Sequence, residues 1–307
     1  MLLLVDIGAK GGIHNRWKKQ IPGFYAILFE PDVDSYNQLK EISSENIVVI
    51  NQALSNNSGE MKFYHCVSSD LSSVYKPNHS VVKRFVDFPL FGVVREERIS
   101  VDTLENQLIK NGFDEIDFVK IDVQGHELAI LNGGGKFIEQ LIGIETEIEF
   151  VEFYEGQPLF EDVNKFMIAH GFELYDLQRS FSQISKDKKI NKGRKGQLVC
   201  GNALYFRSPE NVVKLFQNDF NKLKNAVYVY SIYGYIDLAN NLINSAIDVG
   251  LFSNSDINEM HKTVKTFDKK MVLPDFKGKL FINKIGEFIF NISVPKNRFQ
   301  PDSKLGN

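Results

Sequence analysis

The chain opens MLLLVDIGAKGG, residues 1–12, and this stretch decides the fold. Met1 to Val5 are uninterruptedly apolar, which suits a strand buried on both faces of a parallel sheet. The run closes on Asp6 and passes into a loop with Gly8, Gly11 and Gly12. A polar stretch and the turn signal Pro22-Gly23 lead to a second apolar run, FYAILFE, ending at Glu30. Pro31 and Asp32 then open an amphipathic stretch with Val33, Tyr36 and Leu39 at helical spacing. IVVI (47–50) is a third apolar run. Strand, loop, strand, helix, strand is the order of a doubly wound α/β sheet, which binds ligands at the carboxyl ends of its strands.

Composition narrows the classes around that core. The 307 residues give a prior of one large or two moderate domains, with 43% hydrophobic and 24% charged residues. Thirty-six basic against 39 acidic residues leave a net charge of −3, so no basic field attracts nucleic acid. Only Cys66 and Cys200 are present, which excludes a disulfide scaffold and a multi-cysteine zinc site. His65 and His79 lack partners at ligand spacing, and no metal site is assigned. The start carries no secretory signal pattern, and no apolar run approaches the roughly 20 residues of a membrane span. The expectation is a cytoplasmic protein.

The acidic strand ends carry chemistry. Glu30 lies about twenty residues beyond the glycine loop, where a carboxylate can accept hydrogen bonds from ribose hydroxyls. That spacing also fits a dinucleotide, but the loop reads D-x-G-x-x-G-G rather than G-x-G-x-x-G. Asp6 would repel a pyrophosphate and suits a ligand with an ammonium or sulfonium, such as S-adenosylmethionine. A tight turn in an unrelated α/β protein is the plain alternative. A second cluster, DFVKIDVQGHELAILNGG (117–134), reads as a strand ending at Asp122, a turn at Gly125 and a helix closed by Gly133 and Gly134. In LIGIETEIEF (141–150), Glu145, Glu147 and Glu149 alternate with apolar residues, which puts all three on one strand face.

VDIGAKGG (5–12), LFEPD (28–32), VINQALS (49–55), DLSSVYKPN (70–78), VDTL (101–104), DFVKIDVQGHELAIL (117–131), EFVEFYEGQPLFEDV (149–163), GFELYDL (171–177) and GNALYFR (201–207) together resemble the FkbM family. That family comprises S-adenosylmethionine-dependent methyltransferases. The resemblance implies a Rossmann-like class I methyltransferase fold, with a seven-stranded, mostly parallel sheet and an antiparallel last strand. It implies methyl transfer to oxygen, here on a sugar or glycan acceptor; a small natural product, or a binding protein that has lost catalysis, are the rivals. By the same resemblance Asp6, Gly8, Gly11, Glu30, Pro31, Gln52, Ala53, Ser72, Ser73 and Asp122 are the candidate cofactor-binding residues. Asp122 and His126 are the candidate bases for the acceptor hydroxyl. Asp122 is preferred, because the sheet fixes a strand end whereas a helical His can face either way. A divalent cation on Asp122 is an alternative means of activation, and Glu145 and Glu147 are weaker candidates for a metal or acceptor hydroxyls. Lys10 departs from the family pattern and must turn from the sulfonium or pair with a carboxylate. The absent helix before the first strand leaves one side of the cofactor site without its usual cover.

The resemblance covers residues 1–207, taken as the methyltransferase domain, and leaves 208–307 as a mainly helical extension. Within the domain, KDKKINKGRK (186–195) is a basic loop that can meet solvent or an acceptor phosphate. In the extension, Ser208-Pro209-Glu210 starts one helix, continued by Val212, Phe216, Phe220 and Leu223. Ala239, Leu242, Ile243 and Ala246 mark a second, stopped by Gly250, and Ile257, Met260 and Val264 mark a third after Ser255-Asp256. Residues 280–294 fit helix and strand equally. The extension is expected to pack on the domain or to pair two copies of the chain.

Overall fold

The computed structural model describes residues 1–17, 23–184, 196–268, 284–286 and 300–301. Its strands are β1 (Leu2–Ile7), β2 (Phe24–Phe29), β3 (Ile47–Ile50), β4 (Ala53–Ser55), β5 (Gly59–Cys66), β6 (Val93–Thr103), β7 (Phe118–Ile121), β8 (Gly143–Glu149), β9 (Glu173–Ser182), β10 (Gln197–Phe206) and β11 (Gln300–Pro301). The helices are α1 (Val33–Ile42), α2 (His79–Val82), α3 (Leu104–Lys110), α4 (Glu127–Asn132), α5 (Phe160–Ala169), α6 (Pro209–Phe216), α7 (Phe220–Ile232), α8 (Ile236–Asp248) and α9 (Asn254–Phe267). The main sheet runs β11-β9-β10-β8-β7-β1-β2-β3. From β3 to β8 every neighbouring pair is parallel, and β10 is antiparallel to both β8 and β9. This is the expected Rossmann-like sheet of seven strands, with the two-residue β11 added at its edge.

Two-sided burial follows from the apolar runs. Leu3, Val5, Ile7, Val119, Ile121, Ile144 and Ile148 face one core layer, closed by Leu104 and Leu108 of α3, Ile130 and Leu131 of α4, and Val163 and Met167 of α5. On the opposite face Leu2, Leu4, Leu28, Phe118, Leu204 and Phe206 pack against Trp17, Leu39 and the C-terminal helices. Those helices contribute Val212, Leu223, Val227, Tyr230, Leu242, Ile243, Met260 and Val264 to that core. The residues between β1 and β2 form no helix among those described, and α6 to α9 cover the face left open. The apolar core therefore runs without a break across residue 207.

Asp117, just before β7, pins this layer. Its carboxylate accepts from Leu3 N at 2.8 Å and Asn225 Nδ2 at 2.9 Å, and its other oxygen lies 2.8 Å from Lys222 Nζ. The stretch expected to continue one helix from Pro209 to Leu223 divides instead. Asp219 accepts from Lys222 N at 3.0 Å and caps a separate α7. Ser253, two residues before the expected start, caps α9 in a reciprocal pair with Asp256. The ambiguous 280–294 segment lies outside the described residues except for Lys284 to Gly286, which are helical.

A second sheet, β4-β6-β5, departs from the expected order. Its exposed faces carry cross-strand charge pairs, Arg98–Glu60 at 3.6 Å and Lys62–Glu96 at 3.7 Å.

Candidate active site

The carboxyl ends of β1, β2 and β7 meet around Gly8. Its φ of +75° is open to glycine, and a Cβ there would lie 2.0 Å from the carbonyl oxygen of Asp122. Gly8 N and Ala9 N donate to Phe29 O at 3.0 and 3.2 Å, and Asp122 N donates to Ile7 O at 3.1 Å. The loop after β1 is thereby held between the other two strand ends. Gly11, at φ +85°, continues its turn. Lys10 swings outward to Ser69 Oγ at 2.8 Å and Asp70 Oδ1 at 2.7 Å, which resolves where its ammonium goes.

Asp6 is 2% exposed, and its Oδ1 accepts from Lys120 Nζ at 3.3 Å. Burial pushes its pKa up and the Lys120 ammonium opposes that shift. Glu30, also buried, accepts from Asp32 N at 2.9 Å through Oε1. Burial raises its pKa too. Pro31 follows as the lead into α1, and its carbonyl and that of Glu30 accept from Asn51 Nδ2 at 2.9 and 2.8 Å. This bond fixes the end of β2 against β3.

Three expected contacts have internal partners. Ser73 Oγ donates to Gln124 O at 2.7 Å and accepts from Tyr75 N at 3.1 Å. Ser72 Oγ accepts from Cys66 N at 3.1 Å. Gln52 Nε2 lies 3.1 Å from both Ala53 O and Ser100 O, which ties β3 to the second sheet through β4. Ser73 and Gln52 thus act first as struts. His126 is buried beside Ser55 of β4, with Nε2 3.0 Å from Ser55 Oγ and its ring edge-on to Tyr75. Burial pushes its pKa down to about 4, so it is neutral at pH 7 and a poor general base.

The structure adds a cluster that the sequence pattern only partly exposes. Gln124 Nε2 donates to Glu147 Oε2 at 2.7 Å and to Asp122 Oδ1 at 3.2 Å, so one amide joins two carboxylates. Its φ of +60° is unusual for a non-glycine residue, and Ser73 holds its carbonyl. Glu127 accepts from Val123 N at 2.9 Å and Gly125 N at 3.2 Å. Carboxylate oxygens of Glu127, Glu147 and Glu149 lie within 4.8 Å of one another. Burial, then repulsion from neighbouring carboxylates (Asp122 first for Glu147, Glu127 first for Glu149), pushes the pKa of both well up. Such a group can share protons or hold a cation. The Q-G-H-E run signals Gln124 and Glu127, but their meeting with Glu149 depends on the docking of α4 against β8. The basic segment 186–195 lies outside the described residues.

A doubly wound sheet with a close-approach glycine between buried strand-end carboxylates defines a Rossmann-like nucleotide-type crevice. Residues 6–174 match the Methyltransferase FkbM domain, and the chain belongs to that family. The chain is 29% identical over 168 residues to the 2-O-methyltransferase NoeI of Sinorhizobium fredii. That match covers 50% of this chain and 66% of the relative, just under two thirds of its length. A solved SAM-dependent methyltransferase from Aquifex aeolicus is similar at 10% identity, covering 66% of this chain and 81% of that one with a TM-score of 0.28. The fold assignment rests on the strand order itself. No helix among the described residues is long and apolar enough to cross a membrane.

Proposed function

We propose that the protein is an S-adenosylmethionine-dependent O-methyltransferase acting on a hydroxyl of a sugar or glycan. The observation that carries this reading is the trio of strand-end carboxylates, Asp6, Glu30 and Asp122, around the backbone contact at Gly8. The residues fit the cofactor. The cradle at Gly8 leaves no room for a side chain, and buried carboxylates suit a ligand with a sulfonium and an ammonium. Glu30 has one oxygen on Asp32 N and keeps the other for ribose hydroxyls. Asp6 faces the cofactor's cationic end, and Asp122 stands nearest the transfer point.

When bound, the cofactor supplies a methyl group already activated by the sulfonium, so the chain's work is alignment and proton removal. Asp122 accepts the proton of the acceptor hydroxyl, with one carboxylate oxygen oriented by Gln124. Neutral, enclosed His126 is left in a supporting role. A wall of carboxylates matches an acceptor rich in hydroxyl donors, which supports a sugar. The relative's name supports oxygen as the atom methylated.

The test uses the purified protein, labelled methyl donor and a panel of sugars and glycans. Asp122→Asn is expected to lower kcat by about 100-fold or more, the usual worth of a positioned base, while calorimetry finds cofactor affinity within a few-fold of wild type. Absence of cofactor binding overturns the whole reading. Binding with turnover only on non-sugar acceptors overturns the sugar assignment alone.

A further inference from the structure

We propose that Tyr233, at the end of α7, is a positioning residue for the cofactor crevice: its bond to Glu145 keeps Lys120 on Asp6. The inference rests on the reading that Asp6 faces the cofactor. Asp6, Lys120 and Glu145 occupy one row across three adjacent strands, since Asp6 pairs with Lys120 and Lys120 with Glu145. Lys120 therefore stands between two carboxylates, and its ammonium sits on one of them. It bonds Asp6 at 3.3 Å. Glu145 is instead satisfied from above, by the Tyr233 hydroxyl at 2.5 Å.

That hydroxyl is rigidly aimed. Tyr233 is 1% exposed, and its ring packs against Phe118, Phe206 and Trp17 with centroids 5.3, 5.6 and 5.9 Å away. The Arg16 guanidinium, from the loop after β1, lies 4.3 Å over the same ring. Without the hydroxyl, Glu145 is a half-buried carboxylate with the Lys120 ammonium as its neighbour in the row. Drawing Lys120 across the row strips Asp6 of its only side-chain donor among the described residues, and a buried carboxylate without a partner takes up a proton. Asp6 then no longer presents a charge to the cofactor. Tyr233 lies beyond the 6–174 family match, so this support comes from the C-terminal helices.

Tyr233→Phe keeps the ring and removes the donor. Calorimetry on the full chain is expected to read S-adenosylmethionine binding about tenfold weaker, with kcat at saturating cofactor within about twofold of wild type. Adding Glu145→Gln removes the competitor for Lys120, and Tyr233→Phe/Glu145→Gln is expected to bind within about twofold of wild type. A merely structural role for Tyr233 predicts no such rescue. Wild-type affinity in Tyr233→Phe, or a loss that Glu145→Gln does not restore, overturns the proposal. If Tyr233→Phe alone does not fold, the double variant decides: wild-type-like binding supports the proposal and weak binding overturns it. Asp6→Asn separates the layers. If it binds the cofactor as wild type does, the reading of Asp6 fails and the inference with it; if it binds weakly while Tyr233→Phe does not, only the inference fails.

Discussion

Lys222→Met should cost about 3 kcal/mol of folding stability, at the low end of the 3–5 kcal/mol for breaking a buried ion pair. Both partners are buried, with Lys222 and Asp117 side chains each 4% exposed and 2.8 Å apart. Methionine preserves most of the side chain's volume, so little cavity term is added. What is lost is the only ammonium on Asp117 among the described residues, together with the Lys222 bond to Ile116 O. The low end applies because Asp117 keeps two donors, Leu3 N and Asn225 Nδ2. For a chain of 307 residues, about 3 kcal/mol lowers Tm by roughly 5 °C. Urea unfolding followed by circular dichroism measures the change, and the slope m should not move. Asp117→Asn in the same background should recover part of the loss, because the uncompensated charge goes with it. A loss below about 1 kcal/mol, the range of an exposed pair, would refute the reasoning. It would mean that the ion pair adds little to an α7 contact already held by apolar packing and the Asn225 bonds.

Two other perturbations probe the crevice. Gly8→Ala combines a Cβ 2.0 Å from Asp122 O with a φ of +75°, so it should displace the loop after β1 and weaken cofactor binding by at least about tenfold; calorimetry with unchanged affinity would sink the close-approach reading. Glu149→Gln tests the carboxylate cluster by pH. The folded pKa of Glu149 is raised, so its contribution to stability is complete below the ordinary carboxylate range and is lost as pH rises toward the folded value. The variant should match wild type near pH 4 and be more stable than wild type at pH 8. A variant less stable than wild type at pH 8 would show that the charged form is compensated, and millimolar Mg²⁺ raising the Tm of wild type alone would identify the compensator as a cation.

The parallel core was legible because its strands are unbroken apolar runs, buried on both sides in LLLV of β1 and half-buried in IVVI at the sheet edge. The second sheet was not. GEMKFYHC and VVREERISVDT alternate apolar with polar residues only briefly, at Met61 and Phe63 and at Ile99 and Val101, and charged residues fill much of the rest, so neither carries an unbroken apolar signal. The three glutamates of β8 illustrate the limit for sites. Their shared face follows from period two, but their partners do not. Glu145 turns to Tyr233, 88 positions later, and Glu147 to Gln124, while Glu149 faces Glu127. Only tertiary packing distinguishes three residues that look alike in sequence.

The same packing explains why the C-terminal helices cannot be treated as cargo on a finished domain. In a doubly wound sheet each face needs a layer, and the connection from β1 to β2 supplies Trp17 and Arg16 but no helix among the described residues. Leu2, Leu4, Phe118 and Phe206 would otherwise face water. Covering them is worth about 1.5–3 kcal/mol for each large side chain fully buried. The helices that provide that cover also carry Lys222 and Tyr233, whose polar atoms reach Asp117 at the amino end of β7 and Glu145 within β8. Apolar burial thus holds the layer on the sheet, and polar bonds from Lys222, Asn225 and Tyr233 tie it to β7 and β8. The Tyr233 bond reaches the strand row Glu145–Lys120–Asp6, so a layer that covers the sheet touches the row whose far member is the carboxylate assigned to the cofactor.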